Sequence, residues 1–181
     1  TFGGPHLLSL LTEVATRALK AVWYQKWAVH RRLRPEVMAS RIHVKYLGNG
    51  NGQKVNFDVH QAIEQIDLPN RLYANHGSLL LPMAFPEGSP THPAYGAGHA
   101  TVAGACTTIL KAWFDGSQKF NSLRHARTGA PLTPVQASAD GLTLQAYSGS
   151  DAADLTIEGE LNKLAGNVAT GRNFAGVHWR S

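Results

Sequence analysis

Cysteine is nearly absent from this 181-residue chain: Cys106 stands alone, which rules out an intrachain disulfide and leaves a small apolar packing role. Long hydrophobic runs are missing as well. No stretch approaches the length needed to span a bilayer, so no membrane partner is expected, and no signal peptide is apparent. Acidic residues are scarce, 12 against 17 lysines and arginines, giving a net charge of +5 and a pI near 9.6. That surplus is not gathered in one block. Its densest group, Lys26, Arg31, Arg32 and Arg34 with His30 among them, is interleaved with tryptophan and aliphatic residues in a helical pattern. Aromatic-interleaved RNA-binding motifs and zinc-finger spacings are lacking, so nucleic acid is not expected as a partner. No repeat of fixed period appears, which excludes a solenoid.

What is present suffices for a domain with a real core, at 43% hydrophobic residues. Apolar residues recur at helical spacing from His6 to Arg34, and the run ends where Arg34 meets Pro35. Thr1 to Pro5 reads as a tail, and Pro35 to Ser40 begins a second helix with proline in its first turn. Gly48-Asn49-Gly50-Asn51-Gly52 is a turn. Lys54 to Phe57 reads as extended, Val59 to Ile66 as a short helix, and Leu68-Pro69-Asn70 as its close. Pro86 to Gly98 is an irregular loop. His99 to Phe114 is apolar on nearly every side, the pattern of a helix buried all round. Asp115 to Asp151 is rich in loops, after which Ser150 or Asp151 caps a last helix running through Val168. The fold expected is mainly α, one helical domain over residues 1–181. The chain begins without methionine and stops directly after a motif, so a piece of something longer is expected.

Three places carry chemistry. Lys26 and Arg34 lie eight residues apart; on one continuous helix their directions differ by roughly 80° and their heights by about 12 Å, within reach of one anion. The loop Pro90-Thr91-His92-Pro93-Ala94-Tyr95-Gly96-Ala97-Gly98-His99 hands straight into a helix. The first amides of that helix have no intrahelical acceptor, and the positive end of its dipole favours an anion. His92 and His99 frame this site. Arg172 and His178 lie six apart, which puts them on different helix faces unless the chain bends near Gly176.

Taken in order, Lys-x7-Arg-Pro, Gly-His opening a helix and Arg-x5-His resemble the motifs shared by vanadium-dependent haloperoxidases and the related phosphatidic-acid-phosphatase-type acid phosphatases. Tyr24 to Pro35, Ser89 to Pro93 before Gly98-His99, and Gly171 to His178 are similar to the algal and bacterial haloperoxidase branch. The resemblance implies a helical-bundle fold, of which this chain is the C-terminal, site-bearing part, and a homo-oligomer. It implies vanadate as cofactor, with Lys26, Arg34 and Arg172 neutralising its oxygens and the Gly98 amide adding a donor. His178 is then the axial ligand, His99 bonds the apical oxygen, and His92 serves in acid–base steps. Lys26 polarises the peroxide. The implied reaction oxidises halide, bromide first, with hydrogen peroxide to hypohalous acid, which halogenates small organic substrates. The alternative is an acid phosphatase working through a phosphohistidine at His178. One departure stands out: Ala97 occupies the place where the family has serine, and a lost hydroxyl contact to an anion costs roughly 1.5–3 kcal/mol.

Overall fold

The computed structural model describes residues 3–85 and 88–178, with the backbone alone for Glu64. Thr1 and Phe2 of the expected tail, and Pro86 and Glu87 of the expected loop, lie outside the described residues. The rest of the tail is helical: α1 covers Gly3–Tyr24 and runs into a π-helical turn, Gln25–His30. Helix α2 is Pro35–Tyr46, α3 is Ala62–Gln65, α4 is Leu68–His76, α5 is Gly98–Trp113 and α6 is Ile157–Phe174. A short hairpin joins β1, Val135–Ala137, to β2, Leu144–Ala146, antiparallel with Val135 opposite Ala146. The mainly α expectation holds. Among the described residues no helix is long and apolar enough to cross a membrane.

The chain divides into two compact units. The first comprises the segment up to Lys20 together with His99–Ala169. Here α5 and α6 are tied by Lys111, whose ammonium lies 3.2 Å from Asn162 and 3.5 Å from Glu158. The Phe120 amide donates to the Leu155 carbonyl at 2.9 Å, and His6 meets Trp113 edge to face at 5.1 Å. Helix α5 departs from the all-round burial expected of it: Thr107 is buried, but His99, Thr108, Lys111 and Ala112 are exposed or half-exposed. The α6 cap is also displaced. Thr156 Oγ1, not Ser150 or Asp151, accepts the Gly159 amide at 3.1 Å. The hairpin was not visible in the sequence because each strand is three residues long and mostly exposed, too short for an alternating pattern.

The second unit comprises Ala21–Gly98 and the chain from Thr170 onward. Its core is Ile42, Val59 and Leu79, with Met38, Tyr46, Phe57 and Ile63 packed against them. His43 serves this core, its Nδ1 accepting the Leu79 amide at 3.2 Å. Leu68-Pro69-Asn70, expected to close a segment, instead opens α4 with proline in the first turn, a position where its missing N–H costs nothing. Lys54 to Phe57 joins no strand.

Candidate functional site

Lys26 and Arg34 do not share one helix. The Arg31 amide donates to the Lys26 carbonyl at 3.0 Å, a five-residue π-type bond, and Arg31 itself sits at φ 41°. The chain then runs extended to Arg34, at φ −73° and ψ 146°, because Pro35 keeps the residue before it out of the helical region. The widened turn swings Lys26 inward while Gln25 and Trp27 stay exposed; Lys26 is 1% exposed. Arg34 is 3% exposed and occupies the N-cap position of α2 without a side-chain capping bond.

Backbone bonds tie the histidine loop to this segment and the C-terminal turn to the chain ahead of that loop. The Ala94 amide donates to the Arg32 carbonyl at 2.9 Å, and the Phe85 amide to the Ala175 carbonyl at 3.1 Å. Gly96 and Ala97 are buried; a Cβ on Gly96 would lie 2.8 Å from a Val22 methyl, so only glycine fits. After α6 ends at Phe174, Gly176 turns the chain at φ 71°. This is the bend the six-residue spacing required. It brings His178 Nε2 to 2.8 Å from Arg172 Nη2.

The result is one buried cluster within the second unit. Arg34 Nη2 donates to the Val177 carbonyl at 2.6 Å, and its Nε bonds the Glu36 carboxylate. Lys26 Nζ lies 3.4 Å from His92 Nδ1, and the His92 and His178 rings stack with centroids 5.3 Å apart. Gly98, buried, ends the unit with an amide at the start of α5 that has no intrahelical acceptor. His99 belongs to the other unit and its side chain is exposed. Glu36 and the Val177 carbonyl were not singled out in the sequence. A glutamate in the first turn of a helix ordinarily reads as a partner of the helix dipole, which hid its link to Arg34.

Charge decides what this cluster can hold. Three cationic side chains, Lys26, Arg34 and Arg172, converge with two imidazoles, and Glu36 is the carboxylate paired with them among the described residues. Arg34 Nη1 and Arg172 Nε are buried donors with no hydrogen-bond partner among the described residues. Buried donors are normally satisfied, so these two call for an acceptor. Burial, then the Arg34 charge, pulls the Lys26 ammonium below its ordinary pKa. His92 is also pulled down, chiefly by burial, with Lys26 and Arg34 adding to it against the Pro93 carbonyl. Among the described residues no cluster of three His, Cys, Asp or Glu could hold a bare metal cation. An oxyanion fits. A guanidinium only donates, so the His178 Nε2 facing Arg172 is the ring nitrogen with the lone pair, here accepting from Arg172, and it is the one a metal-centred oxyanion would take over.

Over 99% of its length the chain is similar to curated vanadium-dependent bromoperoxidases. It is 45% identical to those of Corallina pilulifera and Corallina officinalis over 194 aligned positions, and 41% identical to that of Ascophyllum nodosum over 187. The chain spans about a third of their length, 30% of each Corallina protein and 31% of the Ascophyllum one. Its fold matches the homohexameric structure of the second vanadate-dependent bromoperoxidase of Ascophyllum nodosum. That match has a TM-score of 0.67 and 32% identity, covering 99% of this chain and 32% of the other. No family model matches.

Proposed function

We propose that this chain, which resembles the vanadium-dependent haloperoxidases from end to end and shares their fold, is the vanadate-holding part of such an enzyme. The reaction oxidises halide, bromide first, with hydrogen peroxide to hypohalous acid, which then halogenates small organic substrates. One observation carries the reading: Lys26, Arg34 and Arg172 close around two imidazoles with two guanidinium nitrogens left for an acceptor. That donor set suits a tetrahedral oxyanion in a low-dielectric pocket.

Lys26, Arg34 and Arg172 would hold the oxyanion by its oxygens, the Gly98 amide would add a neutral donor, and His178 Nε2 would bond the central atom. His99 joins this set on the resemblance alone. Vanadate, when bound, supplies a Lewis acid that makes peroxide oxygen open to attack by halide. The chain's own work is charge and protons. Lys26 and Arg34, at 1% and 3% exposure, and half-buried Arg172 beside them act with little screening by bulk water. His92 Nδ1 is 2.9 Å from the Pro93 carbonyl, which only accepts, and 3.4 Å from the Lys26 ammonium, which only donates; the shorter contact places the hydrogen on Nδ1 and the lone pair on Nε2. Its pKa lowered chiefly by burial, with its cationic neighbours adding to it, His92 is fitted to take a proton from hydrogen peroxide at Nε2. The buried Lys26 ammonium donates toward the same oxygens. Assembly as a homo-oligomer is part of this reading, supported by the hexameric relative.

The test uses the full-length protein. Vanadate is stripped with phosphate and chelator at low pH, then orthovanadate is restored with peroxide and bromide while dye bromination is followed. Bromination that depends on added vanadate is expected, and His178→Ala abolishes it. Phosphate-ester hydrolysis that vanadate inhibits, without bromination, would assign the site to an acid phosphatase instead.

A further inference from the structure

The geometry points to Glu36 as a positioning residue: its carboxylate holds the Arg34 guanidinium so that one face grips the His178 turn and the free nitrogen meets the oxyanion. The inference rests on the oxyanion reading of this site and adds to it a residue that makes no contact with the anion.

A guanidinium is a planar fork with three nitrogens, and Arg34 has a separate fate for each. Nε bonds Glu36, Nη2 bonds the Val177 carbonyl at 2.6 Å, and Nη1 is the buried donor with no partner among the described residues. Gripped at two corners, a plane cannot turn about its long axis, so the third corner is fixed. Remove the Glu36 corner and the group can swing about the Val177 bond, taking Nη1 away from the site. The same bond carries the effect onward, since Val177 directly precedes His178, whose ring is placed by this turn and by Arg172.

Local sequence explains why glutamate can do this. Pro35 sets the start of α2, Arg34 is its cap, and Glu36 follows within the first turn. A glutamate there has the helix dipole to complement at the surface. Glu36 instead turns its carboxylate to Arg34, with 15% of its side chain exposed against 3% for Arg34. A pair this shielded is unlike a solvated surface ion pair, and loss of one partner is felt by the other.

Three variants of the full-length, vanadate-stripped protein separate positioning from mere structure: Glu36→Ala, Glu36→Gln and Glu36→Asp. Orthovanadate and inorganic phosphate binding are measured by calorimetry, the His178 imidazole by nitrogen NMR, and folding by thermal melting. Glu36→Ala is expected to weaken both anions about tenfold or more and to shift the His178 resonance. Glu36→Gln keeps an oxygen on Nε, so its His178 resonance stays near wild type and its loss of affinity is about threefold or less. Glu36→Asp, a methylene short, falls between. If Glu36→Ala does not fold, the Gln and Asp variants decide by the same contrast. Wild-type affinity and an unshifted resonance in Glu36→Ala, or in Glu36→Asp should Ala not fold, would overturn the inference even if the melting temperature drops. A wild-type protein that binds neither anion would instead overturn the oxyanion reading, and with it any role for Glu36.

Discussion

Ala97 is buried at 7% exposure immediately before Gly98, at the place where the resembling family carries serine. A methyl group there offers an oxyanion nothing, whereas a serine hydroxyl adds one donor to a charged acceptor. The side chain gains a single oxygen. Ala97→Ser is expected to tighten orthovanadate binding by about tenfold, roughly 1.4 kcal/mol, measured by titration of the stripped full-length protein. Unchanged affinity would mean that the added hydroxyl faces away from the anion. At this scale the sequence is most readable. Lys26, Arg34, His92, Arg172 and His178 each carry a functional group with few other reasons to be grouped, and they do group. Glu36 could not be read in advance, because a carboxylate beside a helix start has a common solvated role.

Between residues and domains, turns decide where those groups point. Expectation and structure part at the run from His6 to Arg34, where periodicity alone promises one helix. A π-turn and an extended segment replace its last turns, and Lys26 lies buried within that π-turn. Nothing in a 3.6-residue period announces a five-residue hydrogen bond. The C-terminal bend, by contrast, was legible, since Gly176 lies between two residues that a straight helix would separate. Gly176→Ala tests that bend. Its φ of 71° costs an alanine about 1–2 kcal/mol, and the new Cβ would lie 3.0 Å from the Met83 methyl. The methyl is the end of a flexible side chain and can move, so the backbone is the larger cost. A lower melting temperature and weaker orthovanadate binding are expected. Adding Met83→Ala should restore little of either; full recovery would show that crowding, not backbone conformation, demands the glycine.

For the molecule as a whole, a cluster of buried cations is a liability that an anion relieves. Like charges that lose water and gain no counter-charge lower stability, and a ligand bound only by the folded state restores it. At a hundred times its Kd, orthovanadate or phosphate is expected to add about 2.7 kcal/mol to the free energy of unfolding, and stripping removes it. Thermal melting with and without the anion measures this. The pH dependence of the stripped protein has a definite sign. His92 sits below the ordinary histidine pKa of 6.5, mainly through burial and then through Lys26 and Arg34. Above 6.5 it is neutral folded or unfolded and adds no pH dependence. Below 6.5 the unfolded chain takes the proton first, so stability falls as pH drops, and levels off once the folded form is protonated too. His92→Gln should flatten that acid limb in denaturant titrations between pH 8 and pH 5. An unchanged slope would put the acid sensitivity elsewhere.

The unit that gathers these groups is assembled from two stretches that are far apart in the chain, Ala21–Gly98 and the segment from Thr170 onward. A ribosome therefore releases Lys26, Arg34 and His92 well before Arg172 and His178 exist. Until that later stretch emerges, the nascent chain lacks one arginine and the imidazole that would bond the central atom. On the oxyanion reading, anion binding at this site therefore waits until the chain beyond Thr170 has been made, and a truncation that stops short of Thr170 should leave a product that orthovanadate cannot rescue.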